Sequence, residues 1–187
     1  MRFVVIYDAC VLYPAPLRDL LLHLARTGLF AARWTNEIQQ EWSRNLLKTR
    51  PELADKLPRT IALMNVAVPD ALVTGYEALV DGLRLPDASD RHVLAAAIRA
   101  GAQLIVTFNQ RDFPEAALAT YGIEAVHPDD FLAQQFDLHE PTVLAAVHAH
   151  RRSLRKPAKD VDEYLETLTE QKLVATVERL RRFRAAL

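Results

Sequence analysis

The sequence has a single cysteine, Cys10. One thiol cannot form an intramolecular disulfide, and it cannot supply a zinc cluster built from several thiolates. No stretch approaches the roughly 20 apolar residues that a bilayer-spanning helix needs. The apolar run over residues 3–7 is too short for the core of a signal peptide and leads directly into an acidic residue. We therefore expect a cytoplasmic protein with no membrane association.

Net charge is also nearly absent, at −1 for 187 residues, but its distribution is uneven. Residues 1–140 contain 13 Lys and Arg against 18 Asp and Glu, whereas residues 141–187 contain 10 against 6. An acidic body with a basic tail suits a metal-dependent enzyme that acts on a polyanion. Helices with ordinary solvated charged faces would give the same distribution, and composition alone does not separate the two interpretations.

Short apolar runs alternate with helical patterns through most of the chain. Half of the residues are hydrophobic and 25% are charged, which suits one compact domain with an appendage. Strands are predicted at residues 3–7, 29–33, 103–107 and 123–126. Alternating strands and helices predict an α/β fold with a short parallel sheet covered by helices on both faces.

Helices are predicted between these strands from their apolar spacing and end signals. They cover residues 16–26, 36–48, 51–67, 70–83, 88–100 and 115–121, and another begins at residue 129. Thr35 and Asp87 are suitable N-caps, and Gly101 ends the fifth helix. From residue 141 onward there are only helical patterns, with a break at Lys156 and Pro157.

Asp8 follows the first predicted strand directly. The functional crevice of a parallel sheet lies beyond the carboxyl ends of its strands. A carboxylate buried there is costly unless a cation meets it. Several carboxylates in one cleft are a usual arrangement for holding Mg²⁺ or Mn²⁺.

Asp90 heads the buried stripe of its predicted helix, because Val93, Leu94 and Ala97 follow it at helical spacing. Capping of the helix by Asp87 and Asp90 is the alternative explanation. Capping accounts readily for one acidic residue and less well for two. With Asp8 also present, a ligand role for Asp90 is favoured.

Glu41 flanks the apolar stripe of the helix over residues 36–48, although an exposed glutamate would give the same pattern. Thr107, Asn109 and Asp112 belong to the segment that follows the third predicted strand. Asn and Asp are common in turns and need no functional explanation there. Their position directly after a buried strand makes them candidates for the site.

Other chemistries have weaker support. A nucleophilic Cys10 would need a histidine partner, and the neighbouring sequence offers none. The six histidines have no metal-ligand spacing on one helix face. A phosphoaspartyl enzyme of the dehalogenase type would have a second aspartate where Cys10 stands. A receiver domain would need an acidic pair and a later strand-end lysine, which is missing.

Four segments together resemble the PIN-domain nucleases, and in particular the VapC-type toxins of bacterial toxin–antitoxin pairs. They are residues 5–12 (VIYDACVL), 34–42 (WTNEIQQEW), 85–94 (LPDASDRHVL) and 107–113 (TFNQRDF). The resemblance implies a PIN-like three-layer domain at residues 1–138 and a helical extension at residues 139–187. It also implies that the four acidic site residues are Asp8, Glu41, Asp90 and Asp112.

The implied activity is hydrolysis of RNA phosphodiester bonds with Mg²⁺ or Mn²⁺, leaving a 5′-phosphate. The four acidic residues would bind the metal. Asp87, Thr107 and Asn109 would not bind it but would orient the carboxylates that do. The implied partners are an RNA substrate and a cognate antitoxin protein, and a homodimer is allowed. A catalytically silent PIN module that binds RNA or protein would have the same sequence features.

The chain departs from the family pattern in two places. Many relatives have Asp where this chain has Asn109, so the division of roles between Asn109 and Asp112 is open. The helical tail lies outside the common core. Its basic residues are either ordinary helix-end charges or an RNA-binding surface. The residues predicted for that surface are Arg151, Arg152, Arg155, Arg181 and Arg182.

Overall fold

The computed structural model describes residues 3–155 and 157–187. These residues contain a four-stranded sheet in the order β2-β1-β3-β4, and every adjacent pair of strands is parallel. The strands are β1 (Val4–Tyr7), β2 (Ala31–Arg33), β3 (Leu104–Val106) and β4 (Glu124–Val126). Helices flank the sheet, and further helices follow it. The predicted α/β class is therefore confirmed.

The strands form where the sequence is continuously apolar. All three residues of β3 are buried, as are Val5, Ile6 and Tyr7 of β1, which is typical of a parallel sheet covered on both faces. Tyr7 of β1 is in register with Val106 of β3. The residues that follow these two strands, Asp8 and Thr107, therefore emerge side by side at the carboxyl edge of the sheet.

The described residues include ten α-helices and five short 3₁₀ helices. In chain order the α-helices are α1 (Ala9–Leu12), α2 (Ala15–Ala25), α3 (Asn36–Thr49), α4 (Leu57–Ala67), α5 (Glu77–Val80), α6 (Arg91–Ala100), α7 (Glu115–Leu118), α8 (Pro128–Ser153), α9 (Val161–Glu170) and α10 (Val174–Arg181). The 3₁₀ helices are Pro51–Leu53, Ala88–Asp90, Gln110–Asp112, Ala119–Tyr121 and Arg184–Ala186. Within this part of the chain, no helix is both long enough and apolar enough to cross a bilayer.

The helix predicted over residues 70–83 is wrong for its first half. Trp34 donates its backbone N–H to the carbonyl of Ala71 at 2.9 Å and accepts from the N–H of Val73 at 2.9 Å. This places Leu72 in a parallel bridge with Trp34 beside the sheet. A long-range pairing therefore outweighs the local helical pattern, and only α5 is helical. The predicted helix over residues 51–67 likewise begins as a separate 3₁₀ turn before α4.

The C-terminal segment is helical, as predicted, and packs on the rest of the fold. Helix α8 contacts α2 and α10, and α10 also contacts α9. Apolar residues of these helices belong to the same buried cluster as the sheet. The backbone of α8 is kinked at His139, close to the predicted boundary between residues 138 and 139. That boundary stays a prediction, and Lys156 at the predicted helix break lies outside the described residues.

A buried aspartate fixes the C-terminal helices to the end of the sheet. Asp129, in the first turn of α8, is 8% exposed. Its carboxylate accepts hydrogen bonds from the backbone N–H groups of Ala175 and Thr176, each at 2.8 Å. It also accepts from the Thr176 hydroxyl at 2.7 Å. The free N–H groups at the start of α10 are thus satisfied by a side chain that follows β4 closely.

Candidate active site

Asp8 lies at the centre of the carboxyl edge and is only 4% exposed. The chain leaves β1 and enters α1 there, and Asp8 is the N-cap of that helix. Its Oδ1 accepts from the Ala9 N–H at 2.6 Å, and its Oδ2 accepts from the Thr107 hydroxyl at 2.7 Å. Burial raises its pKa more than these hydrogen bonds lower it. The carboxylate is therefore held in one orientation at an electrostatic cost.

Thr107 and Cys10 complete the surroundings of Asp8. The Thr107 side chain is fully buried, and its oxygen also accepts from the Asn109 N–H at 2.9 Å. The Cys10 thiol donates to Asp8 Oδ2 at 3.2 Å and accepts from the Phe108 N–H at 3.2 Å. Burial and the charge of Asp8 raise the pKa of Cys10 to about 12. The thiol is thus a hydrogen-bond donor to Asp8 and is not a nucleophile at neutral pH.

Asp90 ends the 3₁₀ helix that leads into α6 and makes no side-chain capping hydrogen bond. Partial burial, followed by the charges of four nearby carboxylates, raises its pKa to about 7. These carboxylates belong to Asp8, Asp112, Asp87 and Glu41. The structure therefore brings the four predicted acidic residues into one electrostatic cluster, which we call the carboxylate cluster (Asp8, Glu41, Asp90 and Asp112).

Asp87 has a different surrounding. It is exposed, and its Oδ1 accepts from the backbone N–H of Ser89 at 2.8 Å and from the Ser89 hydroxyl at 2.7 Å. The capping alternative therefore describes Asp87, whereas Asp90 is left available to the cluster. Asp87 contributes to the cluster through its charge, which acts on Asp90.

Glu41 lies on the second turn of α3, on the side that faces α6. Its Oε2 is 3.4 Å from Nε2 of His92, a residue that is 6% exposed. Burial acts to lower the pKa of His92, but the contact with Glu41 and the charges of Glu37, Glu41 and Asp8 raise it overall. A protonated His92 would orient the Glu41 carboxylate and offset part of the negative charge.

Asp112 and Asn109 lie on the loop after β3. Asp112 is half-buried in the 3₁₀ helix Gln110–Asp112, and its charge reaches Asp90. Asn109 is exposed, and its side chain does not cap that helix. Its backbone N–H instead donates a hydrogen bond to the Thr107 hydroxyl oxygen. Of these two residues, Asp112 is the one whose side chain belongs to the carboxylate cluster.

The donor set suits a hard divalent cation, because carboxylate oxygens are the ligands that Mg²⁺ and Mn²⁺ prefer. The ion pairs found among residues 3–155 and 157–187 include no Lys or Arg partner for Asp8, Asp90 or Asp112. No three His, Cys, Asp or Glu side chains in the described residues are already close enough to enclose one ion. The cluster thus has the chemistry of a cation site, with side chains spaced more widely than in a closed coordination shell.

The basic residues predicted to bind RNA have different surroundings. The Arg151 guanidinium donates to the carbonyls of Leu187 at 2.8 Å and Lys159 at 2.9 Å, so it ties the chain end to α8. The other four are exposed: Arg152, Arg155, Arg181 and Arg182. Their role in RNA binding stays a prediction.

The sequence predicted no role in the site for Cys10, and it left His92 open between a residue that supports the site and a surface residue. Each follows an acidic residue of the cluster by two positions, Cys10 after Asp8 and His92 after Asp90. That spacing carries no specific signal, because the thiol reaches Asp8 only through the helical turn of α1. His92 meets Glu41 only in the folded chain, because the two residues are far apart in the sequence.

Comparisons with known proteins give two family matches and one similar protein. Residues 4–111 match the family model described as PIN domain, and residues 128–182 match the one described as VapC50 C-terminal domain. The chain is 39% identical over 111 residues to a Mycobacterium tuberculosis protein named "Putative ribonuclease VapC50". That match covers 57% of this chain and 65% of the relative, so it spans less than two thirds of the relative's length. No solved structure matches. The PIN domain model matches more than half of the chain, and the chain therefore belongs to the PIN domain family.

Proposed function

We propose that this protein is a metal-dependent endoribonuclease and the toxin of a toxin–antitoxin pair. The observation that carries the proposal is the carboxylate cluster at the carboxyl edge of the sheet. Partial burial and like charges raise the pKa of Asp90 to about 7 there, and a divalent cation would offset those charges. The similarity to a protein named as a ribonuclease supports RNA as the substrate.

Each member of the site has a role that follows from its contacts. With Mg²⁺ or Mn²⁺ bound, the site would activate a water molecule and stabilise the leaving oxygen of a phosphodiester. Asp8, with both oxygens already hydrogen-bonded, is the most rigid of the acidic ligands. Asp90 and Asp112 would complete the ligand set. Glu41 would bind the metal directly or through water, and His92 would orient its carboxylate.

Thr107 and Cys10 would act through Asp8 and not on the substrate. Both donate a hydrogen bond to Oδ2, which favours the ionised form that binds a cation. Such supporting contacts typically change metal affinity or activity by about 10–100-fold when they are removed.

The toxin assignment implies a protein partner. A free ribonuclease would damage the cell that makes it, so an antitoxin should cover the carboxylate cluster. An arginine from that partner would be a suitable inhibitor, because its guanidinium can pair with carboxylates in place of a metal ion. Purification from the native host should yield a complex with a small protein encoded beside this one, and isolation as a free chain would count against the toxin assignment.

Cleavage of a panel of labelled RNAs tests the nuclease assignment. We expect the wild-type protein to cut RNA with Mg²⁺ or Mn²⁺, to leave 5′-phosphate ends and to stop when a chelator is added. Asp8→Asn should be inactive, whereas Asp55→Asn is a matched control, because Asp55 is an exposed aspartate outside the cluster. Binding of RNA without cleavage under all these conditions would instead indicate a silent PIN module.

A further inference from the structure

A lysine in the turn between α9 and α10 lies near the carboxyl edge of the sheet. Lys172 lies in this turn, and its Nζ is 5.5 Å from the centre of the Phe108 ring. Phe108 directly follows Thr107, the residue whose hydroxyl donates to Asp8. The ring of His127, which follows β4, packs edge-on against Phe108 at 5.2 Å. The C-terminal segment therefore reaches the same edge as the carboxylate cluster.

The reach from Lys172 to the site can be bounded from these contacts. The path runs from Lys172 Nζ to the Phe108 ring, along one Cα step of about 3.8 Å to Thr107, and through the Thr107 hydroxyl to Asp8. The distance from Nζ to the Asp8 carboxylate is therefore at most about 18 Å. At about 3.4 Å per nucleotide, an RNA strand covers this distance with at most about five nucleotides. The Lys172 ammonium therefore lies within about five nucleotides' length of the carboxylate cluster.

The backbone at Lys172 is unusual for a lysine. Its φ is 64°, the one positive value at a non-glycine residue within residues 3–155 and 157–187. Glycine or asparagine is the usual residue where a helix ends in this conformation. The turn is nevertheless well fixed, because the Leu173 N–H donates to the Leu168 carbonyl at 3.2 Å and Leu173 is fully buried. The backbone conformation of this turn therefore does not explain why residue 172 is a lysine.

Three other cations of the C-terminal segment already have partners. Arg179 pairs with Asp137, and Arg184 pairs with Asp162. Arg151 donates to two backbone carbonyls. Lys172 is exposed and contacts an aromatic face, a contact of modest strength at an exposed site. Its ammonium is consequently free to exchange this contact for a phosphate.

We propose that Lys172 binds a backbone phosphate of the RNA beside the carboxylate cluster, and so makes the C-terminal helices part of the substrate site. The proposal rests on the proposed ribonuclease function. It assigns the contact to a single lysine held at the sheet edge, in place of the exposed arginines predicted from the sequence. Phe108 supports the aliphatic part of the lysine side chain.

Salt-dependent RNA binding tests this role. The full chain carrying Asp8→Asn would be titrated with a labelled, unstructured RNA oligonucleotide across a range of KCl concentrations, so that binding is measured without cleavage. Adding Lys172→Asn should weaken binding several-fold at low salt. It should also reduce the slope of log affinity against log salt by about 0.7, the value for one phosphate contact to a single strand. Lys172→Arg should keep the slope.

The choice of variants separates binding from folding. Asparagine suits a positive φ, so Lys172→Asn should melt no lower than its parent. Lys56→Asn removes an exposed lysine outside the C-terminal segment and should leave the slope unchanged. An unchanged slope with Lys172→Asn, or an equal reduction with Lys56→Asn, would overturn the proposal. Because the titration requires no cleavage, a wild-type protein that never cuts RNA would refute the ribonuclease function without deciding the role of Lys172.

Discussion

Replacement of Asp90 by asparagine should stabilise the metal-free protein. The pKa of Asp90 is raised from 3.8 to about 7 in the folded state, so the folded chain holds a proton that the unfolded chain loses. Between these two values the folded state binds more protons, and the free energy of unfolding therefore falls as pH rises. Above about pH 7 the ionised Asp90 carboxylate destabilises the folded state by its full amount. Asp90→Asn removes this destabilisation.

The size of the effect follows from the same shift. A change from 3.8 to about 7 corresponds to about 4 kcal/mol without screening, at about 1.4 kcal/mol for each pH unit. Asp90 is only half-buried, and solvent screening reduces such interactions strongly. We therefore expect a gain of about 1–2 kcal/mol at pH 8, or roughly 2–8 °C in melting temperature for a chain of this size.

Urea unfolding at pH 5 and pH 8, with a chelator present, measures this gain. The difference between Asp90→Asn and wild type should be larger at pH 8 than at pH 5. Asp55→Asn is the matched control, because Asp55 is exposed and lies outside the carboxylate cluster. A loss of stability with Asp90→Asn, or an equal gain at both pH values, would refute the view that burial and like charges strain this site.

Three further predictions test the metal site, its support and the C-terminal packing. Millimolar Mg²⁺ or Mn²⁺ should raise the melting temperature of the wild type, because a ligand that binds only the folded state stabilises it, and Asp8→Asn should abolish the shift in the same thermal scan. Thr107→Val should lower the cleavage rate by about 10–100-fold and Thr107→Ser should restore it, whereas equal rates would contradict a supporting role for the hydroxyl. Asp129→Ala should cost about 2 kcal/mol in urea unfolding, because it leaves buried N–H groups without partners. Asp130→Ala, at the exposed neighbouring position, should cost little, and equal losses would contradict the capping role of Asp129.

The sheet and the acidic residues were predictable because local sequence decides both. The runs around Val5 and Ile105 are apolar without interruption, as a doubly covered parallel sheet requires. A carboxylate directly after such a strand must lie at its carboxyl end, so the position of Asp8 follows from the sequence alone. The order of the four acidic segments then carried the resemblance to PIN domains.

The remaining features depend on contacts between residues far apart in the chain. The pairing of Leu72 with Trp34 removed half of a predicted helix, and no local pattern signals that pairing. The contact between His92 and Glu41 joins two helices that are far apart in the sequence. Asp129 fixes the start of α10, close to Lys172, through hydrogen bonds to residues far along the chain. The charge count indicated a basic tail but could not identify which of its cations contacts Phe108.

The four carboxylates should act as one site. Single-turnover cleavage of one RNA by Asp8→Asn, Asp112→Asn and the double variant tests this most directly. Residues that act as a unit have strongly non-additive effects on rate. We predict that each single variant lowers the rate by at least about 100-fold and that the double variant is no slower than the slower single variant. Multiplicative losses in the double variant, or full activity in Asp112→Asn, would contradict the single-site account.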